Sequence, residues 1–498
     1  MSAAEVKEGL FDAARACLET IVSYLGGDEA AGLTHGELED QLDHKGRELV
    51  RLLFQDHLTL RAQREVRVSE VADRDGVTRR DVEVDHRRAL VTVFGEVVVS
   101  RFAYRSRGRE NLHPADAALN LPEERHSHGL RRIAAIEASR GSFEATADAI
   151  ARATGQSLGK RQVEGLARRG ATDVDGFYDA RSGVQGDEND VLVLSCDGKG
   201  IVMRPDSLRP ATKRAAKDNA TKLRTRLSKG EKRNRKRMAE LGAVYDLTPL
   251  VRSPDDIMTK HDGRRKDAPT TKNKWLVASV VEDAAGVIGQ VFDEAERRDP
   301  EHRRAWVALV DGNNHQIQRI EAEAKAREVS VTVLVDLVHV LEYVWKAAWS
   351  FFKEGDPSAE CWVHDRAVAI LEGGARDVAA GIRRRATAER LSASGREGAD
   401  ACADYLTHKA SYLDYPKALA AGWSVATGII EGACRHIVAD RMDLTGARWS
   451  LDGAEAVLKL RAVRSNGDFD AYWRYHLAQE RWRVHESRYA NDAIPQAA

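Results

Sequence analysis

Three acidic residues stand where carboxylate chemistry has a use. Asp197 closes the apolar run VLVLSC, Asp311 closes AWVALV, and Glu431 lies near the start of the helical stretch GIIEGACRHIVADRM. A continuous apolar run stopped by turn residues reads as a buried strand, so both aspartates fall where a sheet opens to solvent. Each position also has a plain structural reading. Asp-Gly after a strand favours a turn, and a glutamate in a first helical turn suits the helix dipole. Together the three form a set of hard oxygen donors of the kind Mg²⁺ prefers. Two such ions, about 3.5–4 Å apart, activate a water or hydroxyl for in-line attack on phosphorus and steady the leaving oxygen. No zinc-like cage is visible: Cys17, Cys196, Cys361, Cys402 and Cys434 are scattered, with no C-x-x-C pair.

The elements that must position these residues are legible from residue 191 onward. VLVLSC, AVYDL (243–247), KWLVASVVED (274–283), AWVALVDG (305–312) and VSVTVLVD (329–336) read as strands. Helical segments run from Val287 to Arg298 and from Gln316 to Arg327. Three consecutive strands followed by β-α-β alternation predict a mixed α/β sheet. HVLEYVWKAAWSFF is an amphipathic helix, 357–420 reads as further helices broken at Gly373-Gly374, and 425–465 is a last helical block before a Trp/Tyr/Arg-rich tail.

Upstream, Leu10, Ala13, Ala14, Cys17, Ile21 and Tyr24 recur at helical spacing, and Leu49, Leu52, Leu53 and Leu60 make a second stripe. RALVTVFGEVVVSRFAYR (88–105) alternates around Gly95-Glu96 as a β-hairpin does. In 142–170 two short helices flank Thr154–Ser157, and Lys160, Arg161, Arg168 and Arg169 decorate the second. That is the pattern of a DNA-binding helix-turn-helix, and equally of a plain helical hairpin.

At 498 residues the chain exceeds one core. No stretch reaches the roughly 20 apolar residues that span a bilayer, and the N-terminus lacks a signal-peptide pattern, so a cytoplasmic protein without membrane partners is expected. The net charge of −1 argues against a general polyanion binder, but its distribution does not. Between Arg204 and Arg237 fourteen basic residues face three acidic ones. This run, which includes Lys232, Arg233, Arg235, Lys236 and Arg237, is either a solvated insertion or a phosphate-contacting one.

SCDGKG, WVALVDG, VLVDLVHVLEYVWKAAW and GIIEGACRHIVADRMDLTGARWS give the chain a family resemblance. It resembles DDE transposases with a ribonuclease H-like catalytic domain, and more narrowly the bacterial insertion-sequence ISKra-type, Mutator-related transposases. The resemblance covers roughly residues 85–480. It implies that Asp197, Asp311 and Glu431 are the catalytic, metal-binding triad, holding two Mg²⁺ ions for which Mn²⁺ substitutes. Asp336-Leu337-Val338-His339 matches a D-x-x-H element and brings His339 into the site, with a core histidine as its plain reading. Glu342 is the reserve carboxylate. The implied partners are double-stranded DNA, as transposon ends and target, and further copies of the chain in a homodimer or larger assembly. The implied location is the bacterial cytosol or nucleoid.

Arg435, one helical turn after Glu431, and Arg448 are candidate phosphate contacts; Trp449 either stacks an unpaired base or packs in the core. Gly198 and Gly200 leave room beside Asp197 for a metal and a DNA backbone. Lys199 begins the positive charge that continues into the insertion.

The expected architecture is multidomain α+β. An N-terminal helical region (1–85), a hairpin and connector (86–125) and a helix-turn-helix-like DNA-binding region (126–175) precede a ribonuclease H-like core (186–345, basic insertion 203–240). A helical insertion (346–422), the Glu-bearing part of the core (423–465) and a tail (466–498) complete it. An actin-like or sugar-kinase ATPase would need further glycine-rich phosphate loops, and a haloacid-type phosphatase a second aspartate where Lys199 stands. The remaining alternative is a non-catalytic DNA-binding protein, a helix-turn-helix regulator or a domesticated transposase. The acidic trio is what such a protein does not need.

Overall fold

The computed structural model describes residues 9–184, 186–218, 235–258, 268–426, 428–444 and 446–495 of a multidomain protein of mixed α/β type. The chain divides into two compact units: one ends at Asp179 and resumes from Asp468, and the other runs from Ala180 to Gly467.

In the first unit, helices α1 (Asp12–Leu25) and α2 (His35–Gln63) precede an antiparallel hairpin, β1 (Asp81–Thr92) and β2 (Gly95–Arg105). Thr34 and Glu37 form a capping box that starts α2. Farther along α2 the Gln55 amide binds the edge of β2, donating to Val98 O at 2.9 Å and accepting from Val98 N at 2.7 Å. The hairpin turn falls at Val93-Phe94, two residues before the expected Gly95-Glu96. Gly95 instead sits at a φ of 135°, and a Cβ there would lie 2.6 Å from Arg51 Cδ. It serves the close approach of α2 rather than the turn.

Helices α3 (His128–Arg140), α4 (Phe143–Thr154) and α5 (Lys160–Arg169) pack around buried Leu130, Ile150, Val163 and Leu166. Ser142 caps α4 by accepting from Ala145 N, and Gly155 ends it at a φ of 70°. The two helices around a glycine turn are therefore present. Within the segment expected as a tail, Phe469–Val484 is a helix, and it binds into this unit. Tyr472 Oη donates to Gly170 O at 2.7 Å, and buried Arg131 pairs with Glu480 at 2.8 Å.

The second unit is built on a five-stranded mixed sheet. Its strands are β3 (Val191–Val202), β4 (Lys236–Thr248), β5 (Thr270–Ser279), β6 (Trp306–Val310) and β7 (Val331–Val335), in spatial order β5-β4-β3-β6-β7. The first three pair antiparallel, while β6 and β7 run parallel to β3. Helices cover the central strands, which explains why Val191–Cys196 and Trp306–Val310 are apolar without alternation. One cover is α6 (Ala284–Arg298), whose Val291 fills the space a side chain on Gly242 would need. After β6 comes α7 (Asn314–Ala326), and after β7 comes α8 (Leu337–Ala348). The helical insertion follows as α9 (Pro357–Leu371), α10 (Ala375–Ala388) and α11 (Glu397–Lys409). Helix α12 (Gly428–Ala433), a π-helical turn (Cys434–Ala439) and α13 (Leu451–Ser465) close the unit.

The expectation that Asp197 ends a strand is corrected. β3 continues to Val202 because β4 pairs with it throughout, from Val191↔Leu247 to Val202↔Lys236. What ends near Asp197 is the pairing on the other side, since the last β3–β6 pair is Ser195↔Leu309.

Candidate active site

The register of the parallel strands explains why two distant aspartates come level. β3 and β6 pair with a constant offset from Leu192↔Trp306 to Ser195↔Leu309, and two more steps set Asp197 level with Asp311. The β6–β7 register, ending at Val310↔Val335, sets Asp336 one step beyond, level with Asp311. Neighbouring strands lie about 4.8 Å apart, so three carboxyl-bearing residues line one sheet edge. Their fates differ. Asp336 is buried and caps α8, accepting from Val338 N at 2.7 Å. Asp197 and Asp311 remain half-buried.

Each of these two is anchored by neighbours. Gln316 of α7 donates to Cys196 O at 2.8 Å, and Ser195 Oγ donates to Leu309 O at 2.8 Å, fastening the backbone just before Asp197. The Asp197 carboxylate accepts from Gly198 N at 2.6 Å and from the Cys434 thiol at 3.0 Å. Burial, and then the charge of Asp197, push that thiol up. On the other strand, Asp311 accepts from Asn313 N at 2.8 Å in an Asx turn that leads into α7. Tyr405 of α11 presses on this turn and donates to Asp311 O at 3.2 Å. Gly312, at a φ of 89°, leaves the space: a Cβ there would stand 2.5 Å from the phenol oxygen. Tyr343 of α8 stacks on Tyr405 with ring centres 3.9 Å apart, and Lys409 binds Asn314. The helical insertion is thus a brace for the second aspartate.

Glu431 lies on α12, one turn before Cys434. Its Oε1 is 4.0 Å from His339 Nε2, and His339 Nδ1 is 3.9 Å from Glu342. His339, read from sequence as either core or functional, is half-exposed between two carboxylates. The π-helical turn after α12 is of the kind that often marks functional sites, because its wider turn re-aims side chains. Arg435, within this turn, is exposed, and so is Arg448.

Other expectations are met differently. Trp449 is core: it is 5% exposed, its Nε1 donates to Met442 O at 3.0 Å, and Arg441 covers its ring. It is closed to base stacking in this structure. The space at Gly198 and Gly200 belongs to the next strand, since Cβ atoms there would meet Met238 and Glu240, and Lys236. Arg237 gives its guanidinium to Val280 O and Val281 O, while Lys232 and Arg233 lie outside the described residues. Arg235 and Lys236 are half-buried near and at the start of β4. In the first unit, Lys160 pairs with Glu144 and Arg169 with Glu124, and Arg161 and Arg168 are exposed.

Sequence reasoning missed Cys434, Glu240, Tyr405 and Lys409. Glu240 sits opposite Gly198 on β4, and burial followed by Asp197 raises its carboxyl. Cys434 was within reach of a helical reading, three residues after Glu431; the others depend on cross-strand register and insertion packing.

Asp197 and Asp311 are hard oxygen donors at an open edge, which suits Mg²⁺ in kind. Glu431 does not close the set in this arrangement, for it faces His339. Among the described residues no three His, Cys, Asp or Glu side chains gather closely enough to hold a metal ion. Nor is any helix among them long and apolar enough to cross a membrane. No protein-family model matches the chain, and no curated protein matches it in sequence.

Proposed function

We propose that this chain is a DDE-type DNA transposase, which binds the terminal repeats of its element and carries out metal-dependent phosphodiester hydrolysis and strand transfer. The observation that carries the reading is the parallel register of β3 and β6, which, carried two residues past its last pair, sets Asp197 level with Asp311, with the Glu431 helix joined to Asp197 through Cys434. The strand order supports it: three antiparallel strands followed, beyond the first of them, by two parallel ones is the order expected of a ribonuclease H-like core.

Asp197 and Asp311 would hold the divalent cation, and a movement of α12 would bring in Glu431. When bound, the metal supplies an activated water or 3′-hydroxyl and a counter-charge for the leaving oxygen. The remaining roles belong to the chain. Cys434 and the Gly198 amide orient the Asp197 carboxylate, and Tyr405 and Asn313 hold the Asp311 turn. His339, between Glu431 and Glu342, takes or returns the proton of the attacking hydroxyl. Exposed Lys199, Arg435 and Arg448 carry the positive charge that a DNA backbone needs.

A second reading has its own observation. The trio does not converge on a metal point among the described residues, which favours a transposase relative that only binds DNA. An end-cleavage assay with Mg²⁺ or Mn²⁺ separates the two. Under the first reading Asp197→Asn, Asp311→Asn and Glu431→Gln each lose on the order of 10³-fold or more in cleavage while DNA binding stays. A wild-type chain that binds ends and never cuts them supports the second reading. Near-full activity in one variant removes that residue from the site.

A further inference from the structure

The first unit contains a cavity of about 510 Å³ between the hairpin, the loop after β2 and the chain that follows the C-terminal helix. Its volume falls within the roughly 300–1,000 Å³ of small-molecule sites. Four guanidinium groups line it: Arg88, Arg101, Arg109 and Arg488. Their partners are not alike.

Arg101 is buried and matched, with two donors on Asp116 at 2.7 and 3.2 Å and a third on His86 O at 2.8 Å. It forms a neutral wall. Arg88 is half-buried and matched differently. One of its nitrogens donates to three carbonyl oxygens, Pro122 at 2.5 Å, Glu123 at 2.7 Å and Glu124 at 2.6 Å. No carboxylate among the described residues forms an ion pair with it. Three carbonyl dipoles fix the group in place; burial holds its pKa down against the nearby charges of Asp116, Glu124 and Glu123, none of which pairs with it directly. Arg109 and Arg488 pair with Asp75 at 2.7 Å and Glu110 at 3.0 Å. Both pairs are largely exposed, and pairs of that kind are worth about 0–1 kcal/mol. Either guanidinium can leave its partner for a stronger one at little cost. His113, also in the lining, is held neutral by burial, with a pKa lowered to about 4, so it adds no charge near neutral pH.

We propose that this cavity is a phosphate site, in which Arg88, Arg109 and Arg488 grip the phosphate group of a nucleotide-sized ligand. Planar guanidinium groups bind phosphate oxygens in pairs, and Arg88, fixed by carbonyls and without an ion-pair partner among the described residues, gains most from the anion. The phosphate comes either from a DNA backbone or from a free phosphate ester, and the chemistry is shared. This inference stands apart from the catalytic reading, since it concerns the other unit.

The test uses the full-length chain, with inorganic phosphate and a short DNA duplex as probes at constant ionic strength. Calorimetry and thermal melting are expected to show saturable phosphate binding. Affinity falls at least tenfold in Arg109→Gln/Arg488→Gln, which leaves the carbonyl-bound Arg88 in place, and also in Arg88→Gln. Arg376→Gln, an exposed arginine elsewhere, binds as wild type does. Equal phosphate binding in the wild type and the rim double variant overturns the proposal, as does an absence of saturable binding. If the duplex competes with phosphate in the wild type and not in the double variant, the occupant is a DNA backbone. Phosphate binding without competition identifies a free ester.

Discussion

The two edges of the central sheet carry acidic residues in similar number and treat them in opposite ways. At the edge where β3 begins, Asp246 is fully buried and takes hydrogen bonds from Arg304 at 2.7 Å and Asn273 at 2.7 Å. Asp190 is buried there and accepts from Thr248 at 2.8 Å, while buried Asp299 accepts from Trp306 Nε1 at 2.8 Å. Arg298 reinforces Asp246 at 3.9 Å. At the other edge Asp197, Asp311 and Glu431 are half-buried or exposed, and their hydrogen bonds come from backbone amides and a thiol, with a histidine beside Glu431. No arginine or lysine is ion-paired with them among the described residues. Asp246 and Asp190 are each given a cation, Arg304 and Lys272, and Asp299 is enclosed by donors; Asp197, Asp311 and Glu431 are left open to an external cation. That contrast, more than the presence of acids, separates the candidate site from the scaffold.

Stability is the first place to break this comparison. Arg304→Met leaves buried Asp246 with only Asn273 and the more distant Arg298, and is expected to cost about 3–5 kcal/mol of stability in denaturant unfolding. Asp197→Asn and Asp311→Asn remove charges with no cationic partner, so each is expected to change stability by less than about 1 kcal/mol while ending cleavage. A cost for Asp197→Asn as large as for Arg304→Met would show that both edges are structural. Tyr405→Phe sharpens the role of the brace: the lost bond to Asp311 O is worth about 1 kcal/mol, and cleavage should fall several-fold with DNA binding unchanged. A smaller effect concerns acid. Burial pushes Asp299 up, but bonds from Trp306 and the Arg304 and Arg303 amides outweigh it, so its folded pKa lies below the ordinary value. A lowered carboxyl contributes stability above its unfolded pKa and loses it as pH falls through the folded one. Asp299→Asn should therefore flatten the acid limb of the stability curve below about pH 4. An unchanged acid limb removes Asp299 from the acid-labile set.

The strands and most helices of the second unit were legible because periodicity and turn residues are local signals. Asp283, read as the end of a strand, instead caps α6 and β5 stops at Ser279, whereas Gly373-Gly374 separates α9 from α10, as their residue type suggests. Asp311 and Glu431 stood out for the same reason. Asp197 was misplaced as a strand end, because the full-length pairing of β3 with β4 is invisible in either segment alone. The sequence left Trp449 between base stacking and the core; the packing of Arg441 and the backbone bonds to Val202 and Arg204 decide for the core.

By itself the sequence determined the alternation of strands and helices, the glycine turn between α4 and α5, and which acids end apolar runs. Each depends on residues within one or two turns of chain. Tertiary structure alone decided which acids stay open to solvent. Asp336 was drawn into a helix cap, Asp246 was matched by arginine, and Asp197 and Asp311 were left level with each other. Parallel register across 114 residues and the brace of the 357–420 helices made that choice, and neither is written in any short stretch of the chain.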